Sequence, residues 1–141
     1  MTLDLADPAE LPLRALLEAF ATTVAPIEGG VRLVMERTDV TVGGVRNGIN
    51  GGVLGAFVEL AGHLALRAVL EDGVHIERTQ EVGLSFLSAA RSQTVAEARV
   101  LRVGGRLAVA EVEVRDGESG TLNAAGRVTC VLARPPREEA S

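Results

Sequence analysis

The chain has 141 residues and a net charge of −5; 47% of its residues are hydrophobic and 2% are aromatic. All fourteen basic residues are scattered Arg residues, which disfavours a nucleic-acid groove and excludes lysine Schiff bases and P-loop lysines. We therefore expect a single domain over residues 1–141, with an aliphatic core and no nucleic-acid partner.

The N-terminal residues predict a helix over about 8–23. Asp7-Pro8-Ala9-Glu10 has the order of an N-cap, a first-turn proline and a capping partner. An apolar stripe at three- and four-residue spacing follows: Leu13, Leu16, Leu17 and Phe20. Pro26 and Gly29-Gly30 then interrupt the chain, and the alternating segment 31–38 predicts the first strand.

The central segment predicts one long buried helix over 50–72. It begins at Asn50 after a glycine-rich loop, and Asp72-Gly73 is a plausible end. Glu59, His63 and Arg67 interrupt its apolar run at four-residue spacing, which indicates a core helix and no membrane span.

The remainder predicts four antiparallel strands, over 75–88, 92–103, 106–115 and 121–133. Gly104-Gly105 between two alternating runs is a strong hairpin signal. The proline-broken tail 134–141 is expected to fray. The element order, helix, strand, long helix and four strands, predicts an α+β fold in which the sheet wraps one helix.

A few residues indicate the cellular compartment and the use of cofactors. One cysteine cannot form an intrachain disulfide, and the acidic segment 1–10 does not resemble an export signal, so we expect a cytoplasmic protein. Cys130 lies in an apolar strand far in sequence from either histidine, which favours an inert thiol, and no metal site is expected. His75, beside a turn, is expected to be solvated.

The start of the long helix is the candidate site. The first amides of a helix lack partners and lie at the positive end of its dipole, so Gly51 and Gly52 could bind an oxyanion or a polarised carbonyl. Glu59 lies eight residues later, roughly 12 Å along the axis at ~1.5 Å per residue. A symmetric dimer, in which one subunit supplies the amide and the other the acid, would bring the two groups together.

The segment Asn50-Gly51-Gly52, with an acid nine residues after the Asn, resembles the His-Gly-Gly…Asp/Glu signature of hotdog-fold acyl-CoA thioesterases of the phenylacetate-pathway (PaaI-like) type. The resemblance spans roughly residues 28–133. It includes the element order and the segment 85–90, where the family commonly has Tyr/Phe-Leu-x-Pro-Ala.

The resemblance implies a hotdog fold and hydrolysis of an acyl-CoA thioester at the interface of a homodimer, or of a dimer of dimers. It gives Gly51 the contact to the thioester carbonyl and Glu59 the role of nucleophile or general base. Thr79 falls near a residue that holds the attacking water, and His63 falls near a substrate-contacting position. CoA is part of the substrate, and no separate cofactor is implied.

Asn50 and Gly44 depart from the family, which has mostly His at the first position and often Asn or Gln near the second. The resemblance counts Asn50 with Gly51 and Glu59 among the catalytic residues, since it can donate one hydrogen bond, but it cannot change charge near pH 7. Two alternatives stay open: a hotdog module that binds acyl-CoA without turnover, and an enoyl-thioester dehydratase, which would need a His ahead of the helix. Structural roles are also open for Glu59, paired with His63 or an Arg, and for His63, paired with Glu59.

Overall fold

A computed structural model describes residues 11–43 and 48–136. These residues form one antiparallel sheet and two helices. In chain order the elements are α1 (Leu11–Ala19), β1 (Thr22–Ile27), β2 (Gly30–Met35), α2 (Gly51–Arg67), β3 (His75–Phe86), β4 (Thr94–Val103), β5 (Leu107–Asp116) and β6 (Leu122–Ala133). The six strands lie in the order β1-β2-β4-β5-β6-β3, so β1 and β3 form the two edges.

The long helix α2 packs across one face of the curved sheet and contacts β2, β3, β4, β5 and β6. This is the hotdog arrangement that the sequence predicted. Small side chains cover the sheet beneath the helix: Ala96, Ala98, Ala108, Ala110 and Ala124 are fully buried. The close approach also requires Gly62, because a Cβ on this residue would lie 2.6 Å from Cγ2 of Val128.

The prediction for the N-terminal region was wrong in two respects. Helix α1 ends at Ala19 and not near residue 23, and Thr22–Ile27 forms a strand that the sequence analysis missed. Ala21 turns the chain with a φ of 44°, and the β-branched residues that follow favour a strand. Pro26 argued against a strand, but an edge strand tolerates proline because one side of its backbone needs no partner. The predicted cap at 7–10 lies outside the described residues.

The predicted strand over 31–38 is β2, which starts at Gly30 and ends at Met35. It forms a tight hairpin with β1, in which Ile27 pairs with Gly30. Gly29 takes a φ of 74° in this turn, so the glycine pair that seemed only to interrupt the chain joins two strands.

The long helix starts where predicted but ends at Arg67, about five residues earlier than expected, with Ala68 as its C-cap. Leu70 and Val74 are nevertheless buried, so the apolar pattern continues through a turn that packs on the core. Gly73, with a φ of 83°, lies in this turn and does not cap the helix.

The four predicted strands after the helix are confirmed, each with shifts of a few residues at the ends. The hairpin at Gly104-Gly105 is also confirmed: the Gly104 amide donates to the carbonyl of Leu107 at 2.8 Å. Arg134 is not frayed, because its guanidinium donates to the carbonyls of Gly105 (2.7 Å) and Gly104 (2.9 Å). Residues 137–141 lie outside the described part of the chain.

Candidate active site

The first turn of α2 is capped by the residue that precedes it. The Asn50 side chain accepts a hydrogen bond from the Gly52 amide at 2.8 Å. This is an N-cap interaction, a role that the sequence analysis did not give to Asn50. The Gly52 amide therefore has a partner, whereas the Gly51 amide, at the first helical position, has no acceptor within the helix.

An open pocket of about 350 Å³ lies in front of Gly51. Its walls are Ile49, Gly51, Leu54 and the segment 86–90, which contains most of the segment that the sequence analysis singled out after β3. The Phe86 ring lies closest to Gly51, 3.8 Å from the position of a Cβ on that residue. The structure thus places the aromatic end of β3 beside the free amide of α2.

Asn123 fixes the far wall of this pocket, and the sequence analysis missed it. Its side chain is 1% exposed and donates to Ser88 Oγ (3.1 Å) and to the carbonyl of Ala89 (3.3 Å). Its backbone carbonyl accepts from the amides of Leu87 (2.8 Å) and Ser88 (3.2 Å). A carboxamide in an otherwise apolar strand was the available signal.

The wall and the helix start are joined through the backbone. The Ile49 amide donates to the carbonyl of Ala90 at 2.8 Å, and the Asn50 amide donates to the carbonyl of Thr41 at 2.9 Å. Thr41 is buried and exchanges two hydrogen bonds with Thr38, both 3.1 Å. These bonds hold the Gly51 amide in place from both sides. Gly44, named in the sequence analysis, lies outside the described residues.

Glu59 and His63 line a second hollow, of about 170 Å³, between α1 and α2. Its other walls are apolar: Leu13, Leu16, Ala56 and Leu60. Burial lowers the pKa of His63 below its usual range, and the negative charge of Glu59 partly opposes this shift. The two side chains therefore share one face of the helix, as their four-residue spacing predicted.

Thr79 lies on the edge strand β3, where it pairs with Cys130 of β6. The Thr79 hydroxyl and the Cys130 thiol are 4.0 Å apart. Burial raises the pKa of the Cys130 thiol, the Thr79 contact lowers it, and the charge of Glu59 raises it further. Thr79 and Glu59 thus both act on the same buried thiol, which remains protonated near neutral pH.

The part of the chain that the structure describes contains no group of three His, Cys, Asp or Glu side chains that could form a metal site. Nor does it contain a helix long and apolar enough to cross a membrane.

The fold, the glycine-rich start of α2 and the acid in its middle are together typical of one class of proteins. The chain belongs to the Thioesterase superfamily, whose family model matches residues 47–123. The match contains Asn50, Gly51, Glu59, Thr79 and the pocket wall at 86–90.

Solved structures agree with the fold. A Haemophilus influenzae thioesterase superposes with a TM-score of 0.82 at 20% identity, covering 99% of this chain and 97% of the other. A phenylacetic acid degradation-related protein of Ralstonia eutropha, provisionally called a thioesterase, has a TM-score of 0.75 at 26% identity, with 86% and 92% covered. The PaaI protein of E. coli has a TM-score of 0.74 at 18% identity, with 87% and 92% covered.

A protein of Halobacterium salinarum that is provisionally named an esterase is 36% identical over 67 residues. The match covers 47% of this chain and 44% of that protein, so less than half of the relative's length is represented.

Proposed function

We propose that this protein hydrolyses an acyl-CoA thioester to the free acid and CoA, at sites formed by two copies of the chain. The observation that carries this proposal is the Gly51 amide, which lacks a helical acceptor and borders an open pocket, on the same helix as Glu59. Membership of the Thioesterase superfamily supports thioester hydrolysis.

In this mechanism the Gly51 amide donates a hydrogen bond to the thioester carbonyl oxygen. The positive end of the α2 dipole adds to this interaction as negative charge develops on that oxygen. Because the Gly52 amide is held by Asn50, Gly51 provides the backbone donor.

Glu59 supplies the carboxylate. As a general base it takes a proton from water while the water oxygen bonds to the carbonyl carbon; the carbon–sulfur bond then breaks, and the CoA thiolate receives a proton. As a nucleophile, Glu59 would bond to the carbonyl carbon itself and expel the CoA thiolate, which takes up a proton; water would then open the resulting anhydride and return the Glu59 carboxylate. Thr79, which like Glu59 interacts with Cys130, is a candidate to hold the water.

The exposed edge of the sheet supports a dimer. Among the described residues, strand β3 has no neighbour on its outer side, and it ends in exposed apolar residues, with Phe86 58% exposed. An unprotected edge of this kind favours pairing with another strand. A partner docked there lies next to the Gly51 pocket, because Phe86 belongs to both.

The Gly51 amide can be deleted with little change to the helix. Gly51→Pro removes the N–H at the first helical position, which favours proline, and the ψ of 136° at Asn50 suits a residue before proline. We expect Gly51→Pro to lower kcat for acyl-CoA hydrolysis about a hundredfold. Gly51→Ala retains the amide and serves as the matched control, with activity within a few fold of wild type.

The carboxylate is tested by Glu59→Gln, which keeps the size of the side chain. We expect CoA thiol release to fall about a thousandfold, with the thermal unfolding midpoint unchanged within a few degrees. Wild-type turnover by this variant across a panel of acyl-CoAs would refute the proposal.

Mixing the two inactive variants tests the shared site. If Gly51 of one subunit works with Glu59 of the other, half of the dimers in an equal mixture are heterodimers with one intact site of two, so about one quarter of wild-type activity returns. A site contained within one subunit predicts no recovery.

The competing function is a hotdog module that binds acyl-CoA without turnover. Asn50 favours it, because its side chain caps α2 where most relatives have a titratable His. Thermal stabilisation by acyl-CoA without thiol release would support this alternative.

A further inference from the structure

The hollow between α1 and α2 suggests which acyl groups the site accepts. It opens beside Glu59, and four of its six lining residues are apolar. We propose that this hollow is the acyl pocket, that it takes a short, uncharged aliphatic acyl group, and that Leu13 and Leu16 of α1 set the length limit. This inference rests on the proposed function, because Glu59 must act on the thioester for its surroundings to contact the acyl group.

The size of the hollow sets the length. A volume of about 170 Å³ is close to the ~150 Å³ of an apolar protein cavity that holds one benzene molecule, which has six carbons. An acyl group of about four to six carbons therefore fills it. Longer chains would extend beyond its walls.

The charge of the hollow sets the polarity. Glu59 contributes a carboxylate, and burial lowers the pKa of His63, which keeps the imidazole mostly neutral at pH 7. The lining thus provides no positive charge for a terminal carboxylate on the acyl group, and burial of an unpaired charge is costly.

Helix α1 is suited to limiting the length of the acyl group because one of its faces is buried in the core and the other borders the hollow. Leu17 anchors the helix in the core at 4% exposure, while Leu16 beside it is 42% exposed at the rim of the hollow. Leu16 therefore contributes little to the core, so it can be changed without loss of the fold.

The experiment measures kcat/KM for straight-chain acyl-CoAs of two to sixteen carbons. For wild type we expect a maximum at four to six carbons and a decline beyond eight. Leu16→Trp should lower the value for hexanoyl-CoA at least tenfold relative to acetyl-CoA, because the indole fills the hollow. Leu13→Ala should move the maximum by about two carbons towards longer chains, at about fourfold per methylene accommodated.

Leu101→Trp is the control, since Leu101 is similarly exposed (48%) but lies on β4 and does not line the hollow. It should leave the chain-length profile unchanged. Butyryl-CoA should be preferred over succinyl-CoA, which has the same length but a terminal carboxylate, by at least a hundredfold.

Some outcomes separate this inference from the proposed function. An active enzyme whose profile is unaffected by Leu16→Trp and Leu13→Ala, or that prefers sixteen carbons, would overturn the acyl pocket and leave hydrolysis standing. An inactive wild type whose thermal stabilisation by hexanoyl-CoA over CoA is lost in Leu16→Trp would overturn hydrolysis and support the pocket. An inactive protein without that difference would overturn both.

Discussion

Both halves of α2 consist mainly of apolar residues and glycine, but they differ in burial. In the first two turns, Gly51–Ala56, only Leu54 is buried, whereas between Phe57 and Leu66 every residue except Glu59 and His63 is buried. The second half packs the helix on the sheet, and the first half leaves its backbone accessible. The two polar residues of the buried half therefore stand out as the ones that packing does not explain.

Two glycines on the same side of α2, seven residues apart, test this contrast most strongly. A Cβ on Gly62 would lie 2.6 Å from Val128, whereas a Cβ on Gly55 would meet no atom within 4 Å. We expect Gly62→Ala to destabilise the fold by about 1–3 kcal/mol through overpacking. Gly55→Ala should stabilise it by about 0.5–1 kcal/mol through helix propensity. Urea denaturation measures both, and equal effects would mean that the two halves do not differ in packing.

Substitutions at Asn50 test whether the exposed first half of α2 serves stability or catalysis. Asn50→Ala should cost about 1 kcal/mol of unfolding free energy, because the cap on Gly52 is lost. Asn50→Asp keeps a capping oxygen and should retain stability. Its negative charge beside the Gly51 amide should nevertheless lower kcat about tenfold, because it repels the developing oxyanion. Full activity in Asn50→Asp would show that no such charge develops there.

His63 gives the smallest expected effect, a pH dependence of stability. Since burial lowers its pKa in the folded state, the unfolded chain binds the proton more tightly. Stability is therefore lost as the pH falls below about 6.5, the unfolded value, towards the lower folded pKa, and is unaffected well above it. His63→Gln should reduce this loss. Glu59→Gln should enlarge it, because the charge that favours protonated His63 is removed. An unchanged pH profile in His63→Gln would contradict this assignment.

The sequence predicted the parts of the fold that depend on regular patterns. The four strands after the helix alternate cleanly, and Asn50-Gly51-Gly52 marked the helix start. The predictions that were wrong, the missed strand β1 and the late end of α2, have physical causes. Pro26 concealed an edge strand, where its missing N–H costs nothing, and Leu70 and Val74 looked helical because a buried turn needs apolar side chains as much as a helix does.

The candidate site was predictable where a residue acts through its own position on α2. Gly51, Glu59 and His63 fall into this group, because spacing on a helix fixes which face they share. Asn123 and Leu16 do not: their contacts to segment 86–90 and to the hollow beside Glu59 depend on long-range packing. The capping role of Asn50 was visible in principle, since Asn is a favoured N-cap residue.

The buried thiol described beside Thr79 offers a built-in probe of motion. Cys130 is the only cysteine of the chain, and it is shielded between β3 and β5. A thiol reagent can reach it only when the sheet opens locally, so its labelling rate in the native protein measures the free energy of that opening. If a second copy closes the β3 edge, labelling should slow as protein concentration rises, which would report assembly without any introduced label.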